Sequence, residues 1–111
     1  MHSDLPSLLD AASGLNSGLF SFPRLSILAS LYVLGPDGAL YRDLKASIGL
    51  SDGVLIFNLR ALEKTGYVKK SEVALEKKKM DLYWITQDGR KEFEKVREWL
   101  EEFTKITRLV K

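Results

Sequence analysis

The apolar positions of this chain recur at helical spacing through most of its length and switch once to strand-like alternation, and that order predicts the architecture. Leu5, Leu8, Leu9 and Ala12 follow Asp4, a candidate N-cap, until Gly14 and Gly18 interrupt the run. Ser21 and Pro23 then open a broader face of Leu25, Ile27, Leu28, Leu31 and Leu34, which Gly35-Pro36-Asp37-Gly38 stops with several turn signals together. Leu40, Leu44 and Ile48 repeat at i, i+4 and i+8, with Arg42, Asp43, Lys45 and Ser47 between them, as in a short amphipathic helix. Gly49 suits the left-handed turn out of that helix, Leu50 plugs the corner, and Ser51 caps a second helix. This second helix turns Leu55, Leu59 and Leu62 inward and ends at Gly66.

From Tyr67 and Val68 the chain becomes extended, and the returning strand alternates Asp81, Tyr83 and Ile85 against Met80, Leu82 and Trp84. Between the strands, Glu76-Lys77-Lys78-Lys79 holds no Gly, Asn or Pro to fix a tight turn, so a longer, mobile tip is expected. Both faces of the returning strand carry large apolar groups. Trp84 therefore either stays half-exposed or is covered by the N-terminal leader or by a second copy of the chain. Thr86 caps a last helix of about 24 residues, roughly 36 Å long. Phe93, Val96, Leu100, Phe103, Thr107 and Val110 are spaced three and four apart along it and fit a heptad seam, which Trp99, Ile106 and Leu109 widen. A helix of that length outruns one small domain, and this seam is the expected dimer interface.

The elements add up to a mainly α (α+β) fold, a winged helix-turn-helix with a two-stranded wing and a long C-terminal dimerisation helix. The expected divisions are an N-terminal helical extension over residues 1–22, the winged domain over 23–86 and the dimerisation helix over 87–111. A chain of 111 residues with 45% hydrophobic content can bury one modest core, which disfavours a two-lobed enzyme with a cleft. The absence of cysteine removes disulfides, zinc ribbons and thiol chemistry, and His2 alone cannot build a metal site. Met1-His2-Ser3-Asp4 lacks the pattern of a signal peptide, and no segment approaches the roughly 20 apolar residues that span a bilayer. A cytoplasmic protein without metal, cofactor or membrane contact is expected.

The net charge of +2 says little, but its distribution says more. Residues 1 to 59 carry 3 basic against 5 acidic side chains, whereas residues 60 to 111 carry 14 against 10. Most of the surplus falls on Arg60, Lys64, Lys69, Lys70, Lys77, Lys78 and Lys79, at the end of one helix and on the hairpin beside it.

Three stretches carry a family resemblance: Gly49-Leu50-Ser51-Asp52-Gly53-Val54-Leu55, then Leu59-x-x-Leu62-Glu63-x-x-Gly66-Tyr67-Val68, then Ile85-Thr86-x-x-Gly89-Arg90. In this order they resemble the winged-helix transcriptional regulators of the MarR and ArsR type, over roughly residues 23 to 95. They look most like the small prokaryotic and archaeal group with a Gly-Leu-x-Asp-Gly-x-Leu opening. The resemblance implies a homodimer that places each second helix of the helix-turn-helix in the major groove of double-stranded DNA and each wing against the flanking minor groove or backbone.

Elementary chemistry supplies matching roles. Lys77, Lys78 and Lys79 suit phosphate contact and counterion release. The start of the second helix offers free N–H groups and Ser51 to a phosphate, beside Asp52 as a helix-start charge, and Arg42 stands ready to clamp a neighbouring one. Base reading falls to Val54, Phe57, Asn58 and Arg60, with Asn58 suited to adenine and Arg60 to guanine. Val54, Ile56 and Phe57 are apolar where relatives usually carry polar groups. They suit thymine methyls or a base step, and equally the anchor of a winged-helix protein-interaction module. No pattern marks a small-molecule effector pocket, although a ligand-responsive regulator remains a third reading. No paired carboxylates, Ser-His arrangement or phosphate-binding glycine loop supports an enzyme.

Overall fold

The computed structural model describes residues 4–109. Helix α1 covers Leu5–Ala11 and is followed by two single 3-10 turns, Ala12–Gly14 and Ser17–Leu19. Then come α2 (Phe22–Leu34), β1 (Ala39–Leu40), α3 (Tyr41–Ile48), α4 (Asp52–Thr65), β2 (Val68–Leu75), β3 (Lys78–Ile85) and α5 (Gln87–Arg108). The helix starts are those expected: Asp4, Ser21, Ser51 and Thr86 each accept a backbone N–H from the residue three positions on. Gly49 leaves α3 at φ 76° and ψ 19°, the left-handed conformation a side chain would resist.

The sheet departs from the sequence expectation. It is three-stranded and antiparallel in the order β1-β3-β2, because Ala39 and Leu40 pair with Tyr83 and Leu82. Leu40 thus ends a strand and precedes α3 instead of opening the helix. A two-residue strand has no periodicity to read, which is why only the hairpin was legible. The tip also differs. Leu75 pairs with Lys78, so Glu76 and Lys77 alone make the turn, at φ 53° and 66°. That is the backbone of a tight two-residue hairpin loop, adopted here without glycine or asparagine and therefore at some cost.

The core gathers Ile27, Leu28 and Leu31 of α2, Leu44 of α3, Leu55, Leu59 and Leu62 of α4, Val68, Tyr83 and Ile85 of the sheet, and Val96 of α5. The leader is bound into this unit. Leu19 joins the core, and the Trp99 indole N–H donates to the Leu8 carbonyl at 2.8 Å. The Asn16 amide N–H donates to Glu92 at 2.9 Å, and its side chain donates to the Tyr67 hydroxyl at 3.2 Å. The leader therefore covers Trp99, and Trp84 stays part-buried on the outer face of β3. At the base of the wing, the Thr86 hydroxyl donates to the Gly66 carbonyl at 2.6 Å, and a Cβ on Gly89 would collide with the Tyr67 carbonyl. Those contacts tie the end of α4 to the start of α5.

Candidate nucleic-acid interface

Helix α4 buries Leu55, Asn58, Leu59 and Leu62. At 100° per residue, the opposite face is a ridge of Gly53, Phe57, Arg60 and Lys64, flanked by Val54 on one side and Ile56 on the other. Phe57 is 67% and Val54 41% exposed, while Ile56 is part-buried. Arg60 and Lys64 are exposed. Ser51, also exposed, caps the helix by accepting the Val54 N–H at 3.3 Å.

Asn58 departs from the outward position expected of it. Its side chain is only 8% exposed and turns toward α2, where its Oδ1 accepts from Arg24 Nε at 3.1 Å and its Nδ2 donates to the Val54 carbonyl at 2.8 Å. Arg24 also donates to the Gly18 carbonyl at 3.4 Å, so the pair links leader, α2 and α4. Asn58 is a packing residue that satisfies a part-buried guanidinium, and it does not face outward to read a base. The signal was available in Arg24, one cation at the head of an otherwise uncharged helix.

The start of α4 is braced by side chains that the sequence reading did not connect. The Tyr41 hydroxyl donates to Asp52 Oδ1 at 2.6 Å, and Lys45 Nζ stands 2.9 Å from Oδ2. Tyr41 and Lys45 lie one turn apart on α3 and converge on the first residue of α4, fixing the angle between the two helices. The Tyr41 hydroxyl and then Lys45 hold the Asp52 carboxyl below the usual range. Loss of solvent, followed by the bond to Asp52, pushes the Tyr41 phenol up to about 12. Asp52 therefore keeps a negative charge where a phosphate was expected to sit against free N–H groups. Arg42 is exposed, with Asp43 at 3.7 Å.

The hairpin carries the charge. Lys69, Lys70, Lys77, Lys78 and Lys79 are exposed, and none of them, nor Arg60 or Lys64, is in a salt bridge among the described residues. Lys77 is a turn residue, whereas Lys78 and Lys79 begin β3. Among the described residues, no group of three or more His, Cys, Asp or Glu side chains could hold a metal ion, and no helix is long and apolar enough to cross a membrane.

The expected seam of α5 divides in two. Val96 is fully buried in the chain's own core, and Phe93 packs against that core with its ring 5.1 Å from Tyr32. Val96 is thereby closed to a second subunit and Phe93 is left part-buried, because α5 lies on α2 through its first half. Leu100 and Phe103 remain accessible at 36% and 37%, Thr107 is exposed and donates to the Phe103 carbonyl, and Val110 lies outside the described residues. Leu109, 77% exposed, and Leu5, Leu9 and Phe20 of the leader add apolar surface. Phe20, Trp99 and Phe103 form a ring ladder with 5.4 Å steps.

Two helices joined by a glycine turn, a three-stranded sheet whose hairpin is the wing, and a capped closing helix define a winged helix-turn-helix protein. The sequence pattern of the winged helix DNA-binding domain family matches residues 24–104, and the chain belongs to that family. Among solved structures it is similar to a transcriptional regulator homologue from Pyrococcus horikoshii OT3, with a TM-score of 0.75 and 22% identity over 89% of this chain and 95% of that one. It is also similar to MepR from S. aureus in its DNA-binding conformation, with a TM-score of 0.66 and 18% identity over 90% and 72% of the two chains. NadR, solved in complex with 4-hydroxyphenylacetate, gives a TM-score of 0.66 and 20% identity over 96% and 74%. None of the curated protein sequences matches the chain. The chain shares its fold with these solved structures.

Proposed function

We propose that the chain is a homodimeric, sequence-specific regulator of transcription that binds double-stranded DNA in the cytoplasm and catalyses no reaction. In this reading α4 enters the major groove and the hairpin lies on the flanking backbone. The observation that carries it is the unpaired charge: Arg60, Lys64, Lys69, Lys70, Lys77, Lys78 and Lys79 are all exposed and engaged in no salt bridge among the described residues. These seven cations outnumber Glu63, Glu72, Glu76 and Asp81 of the same segment and form no salt bridge with them, and a phosphate backbone supplies the missing partners. The dimer rests on the uncovered apolar face of Leu100, Phe103 and Leu109 with Leu5 and Leu9.

Fluorescence anisotropy of labelled duplexes over a salt series, with sedimentation of the free protein, tests the proposal. Replacing Lys77, Lys78 and Lys79 by Glu should weaken binding to every sequence and lower the salt slope by about 2.7, at 0.9 per lost phosphate contact. Replacing Leu100 and Phe103 by Glu should halve the sedimenting mass. Anisotropy that stays flat at low salt, or a wild-type protein that sediments as a monomer, would refute the corresponding half.

One observation favours a second reading. Phe57 is 67% exposed beside Val54, which suits the apolar anchor of a protein-interaction module. Under that reading Phe57→Asp abolishes capture of a protein partner, and no duplex binds.

A further inference from the structure

We infer that the outward face of α2 is a self-association surface that pairs antiparallel with α2 of a second copy of this chain, apart from the proposed α5 contact. The buried side of α2 is Ile27, Leu28 and Leu31, and at 100° per residue Phe22, Ser26, Ala29 and Val33 point directly away from it. A surface helix normally carries charge on that side, whereas one apolar all round is covered. The single charged residue of α2 is Arg24, and it turns to Asn58. The outward face is therefore uncharged along its whole length, with Phe22 70% and Val33 82% exposed at its two ends. None of the cations assigned to DNA lies on α2.

The spacing of this face names its occupant. Phe22, Ser26, Ala29 and Val33 stand four, three and four residues apart, so the order large, small, small, large reads the same from either end. A twofold axis between Ser26 and Ala29 sets Phe22 of each copy against Val33 of the other, and Ser26 against Ala29. Small side chains at the crossing let the two backbones come close. Beside Val33, α2 and α3 leave a hollow of about 540 Å³ lined by Ala29, Ser30, Leu34 and Leu44. The phenyl ring of the partner's Phe22 fills it, and the twofold repeats that fit at the other end. A charged or unsymmetrical partner gains nothing from such a palindrome, whereas a second copy uses both halves of it.

Two 13-residue helices bury less than the roughly 1,000 Å² of a stable interface, so the contact is weak and is best caught covalently. The chain has no cysteine, so an introduced one is its only thiol. Full-length Ser26→Cys is mixed with an equal amount of mass-tagged Ala29→Cys and oxidised with copper and air, and the three disulfide-linked products are weighed against one another. The mixed product should exceed each self-product by about tenfold, against the roughly twofold of random collision, because only facing thiols come within disulfide reach. Adding Phe22→Glu to both copies should return the ratio to about twofold, and adding Val33→Lys to those chains should restore the excess, since each Glu then faces a Lys. Both charges suit their ends of α2, so thermal unfolding should show no loss of stability. Leu100→Glu with Phe103→Glu should leave the excess unchanged, which separates this contact from the α5 one. A ratio at the random value in the two single-cysteine chains would overturn the inference, and so would an excess that survives Phe22→Glu.

Discussion

Replacing Asn58 by alanine should destabilise the protein while leaving its base preference unchanged, the opposite of what an outward recognition residue would do. The substitution removes the bond from Arg24 Nε, at 3.1 Å, and the bond to the Val54 carbonyl, at 2.8 Å, from a side chain only 8% exposed. A part-buried bond to a charged partner contributes about 1.5–3 kcal/mol and a neutral one about 1 kcal/mol. Alanine recovers about 0.5 kcal/mol in helix propensity. Arg24 is not stranded either, since it keeps the Gly18 carbonyl at 3.4 Å and some solvent. The net loss is therefore about 2–3.5 kcal/mol. With a urea slope of about 1.5 kcal/mol/M for a domain of this size, the midpoint should fall by at least about 1.3 M.

The fluorescence of Trp84 on β3 and Trp99 on α5 follows unfolding at the sheet and at the leader contact. Protein concentration is held fixed, because a dimer couples stability to mass action. A double-mutant cycle with Arg24→Met should return a coupling of about 1.5 kcal/mol or more. A midpoint within about 0.3 M of wild type, together with relaxed preference at one base position, would refute the inward assignment of Asn58.

The other predictions concern the wing tip and the brace. Lys77→Gly should relieve a left-handed residue at φ 66° and raise stability by about 1 kcal/mol in urea unfolding. The same change should lower the salt slope of DNA binding by about 0.9, and a destabilised variant would contradict the turn geometry. Asp52→Asn should bring the Tyr41 phenol down from about 12, though not fully to its ordinary value, because burial is the larger cause. Phenolate absorbance reads that change, and an unmoved titration would refute the bond. Because the folded Tyr41 value is raised, its contribution to stability is complete below about pH 10 and disappears as pH rises through about 12. The depressed Asp52 carboxyl contributes above its unfolded value and loses that contribution as pH falls through the folded one. The Asn variant should therefore show flatter stability at both ends.

The sequence was most readable where one residue settles a backbone question by itself. Ser21, Ser51 and Thr86 mark helix starts because a short hydroxyl side chain can accept the N–H three residues on, and Gly49 and Gly66 mark exits because they tolerate positive φ. These cues are local and survive any tertiary arrangement. What was lost depends on neighbours distant in sequence. Ala39 and Leu40 become a strand only because Tyr83 and Leu82 lie beside them. Glu76 and Lys77 accept left-handed angles because Leu75 and Lys78 are already paired across the hairpin, so the register overrides the residues' preference.

The same reasoning explains why the candidate site residues divide as they do. Periodicity shows that a helix has two faces, but not how wide the buried one is. On α4 the buried stripe extends to Asn58, whose polarity suggested solvent, because Arg24 offers it a partner 34 positions away. On α5 the evenly spaced seam reads as one surface, yet the domain takes Phe93 and Val96 and leaves Leu100 and Phe103 accessible. The crossover follows from length. A 22-residue helix runs about 33 Å, and an end of it extends past α2 onto the leader, where Leu8 and Phe20 meet Trp99. The leader thus lies between the proposed subunit contact and the Arg24–Asn58 link to α4. It is joined to α4 through Gly18, Arg24 and Asn58, and to the base of the wing through Asn16 and Tyr67.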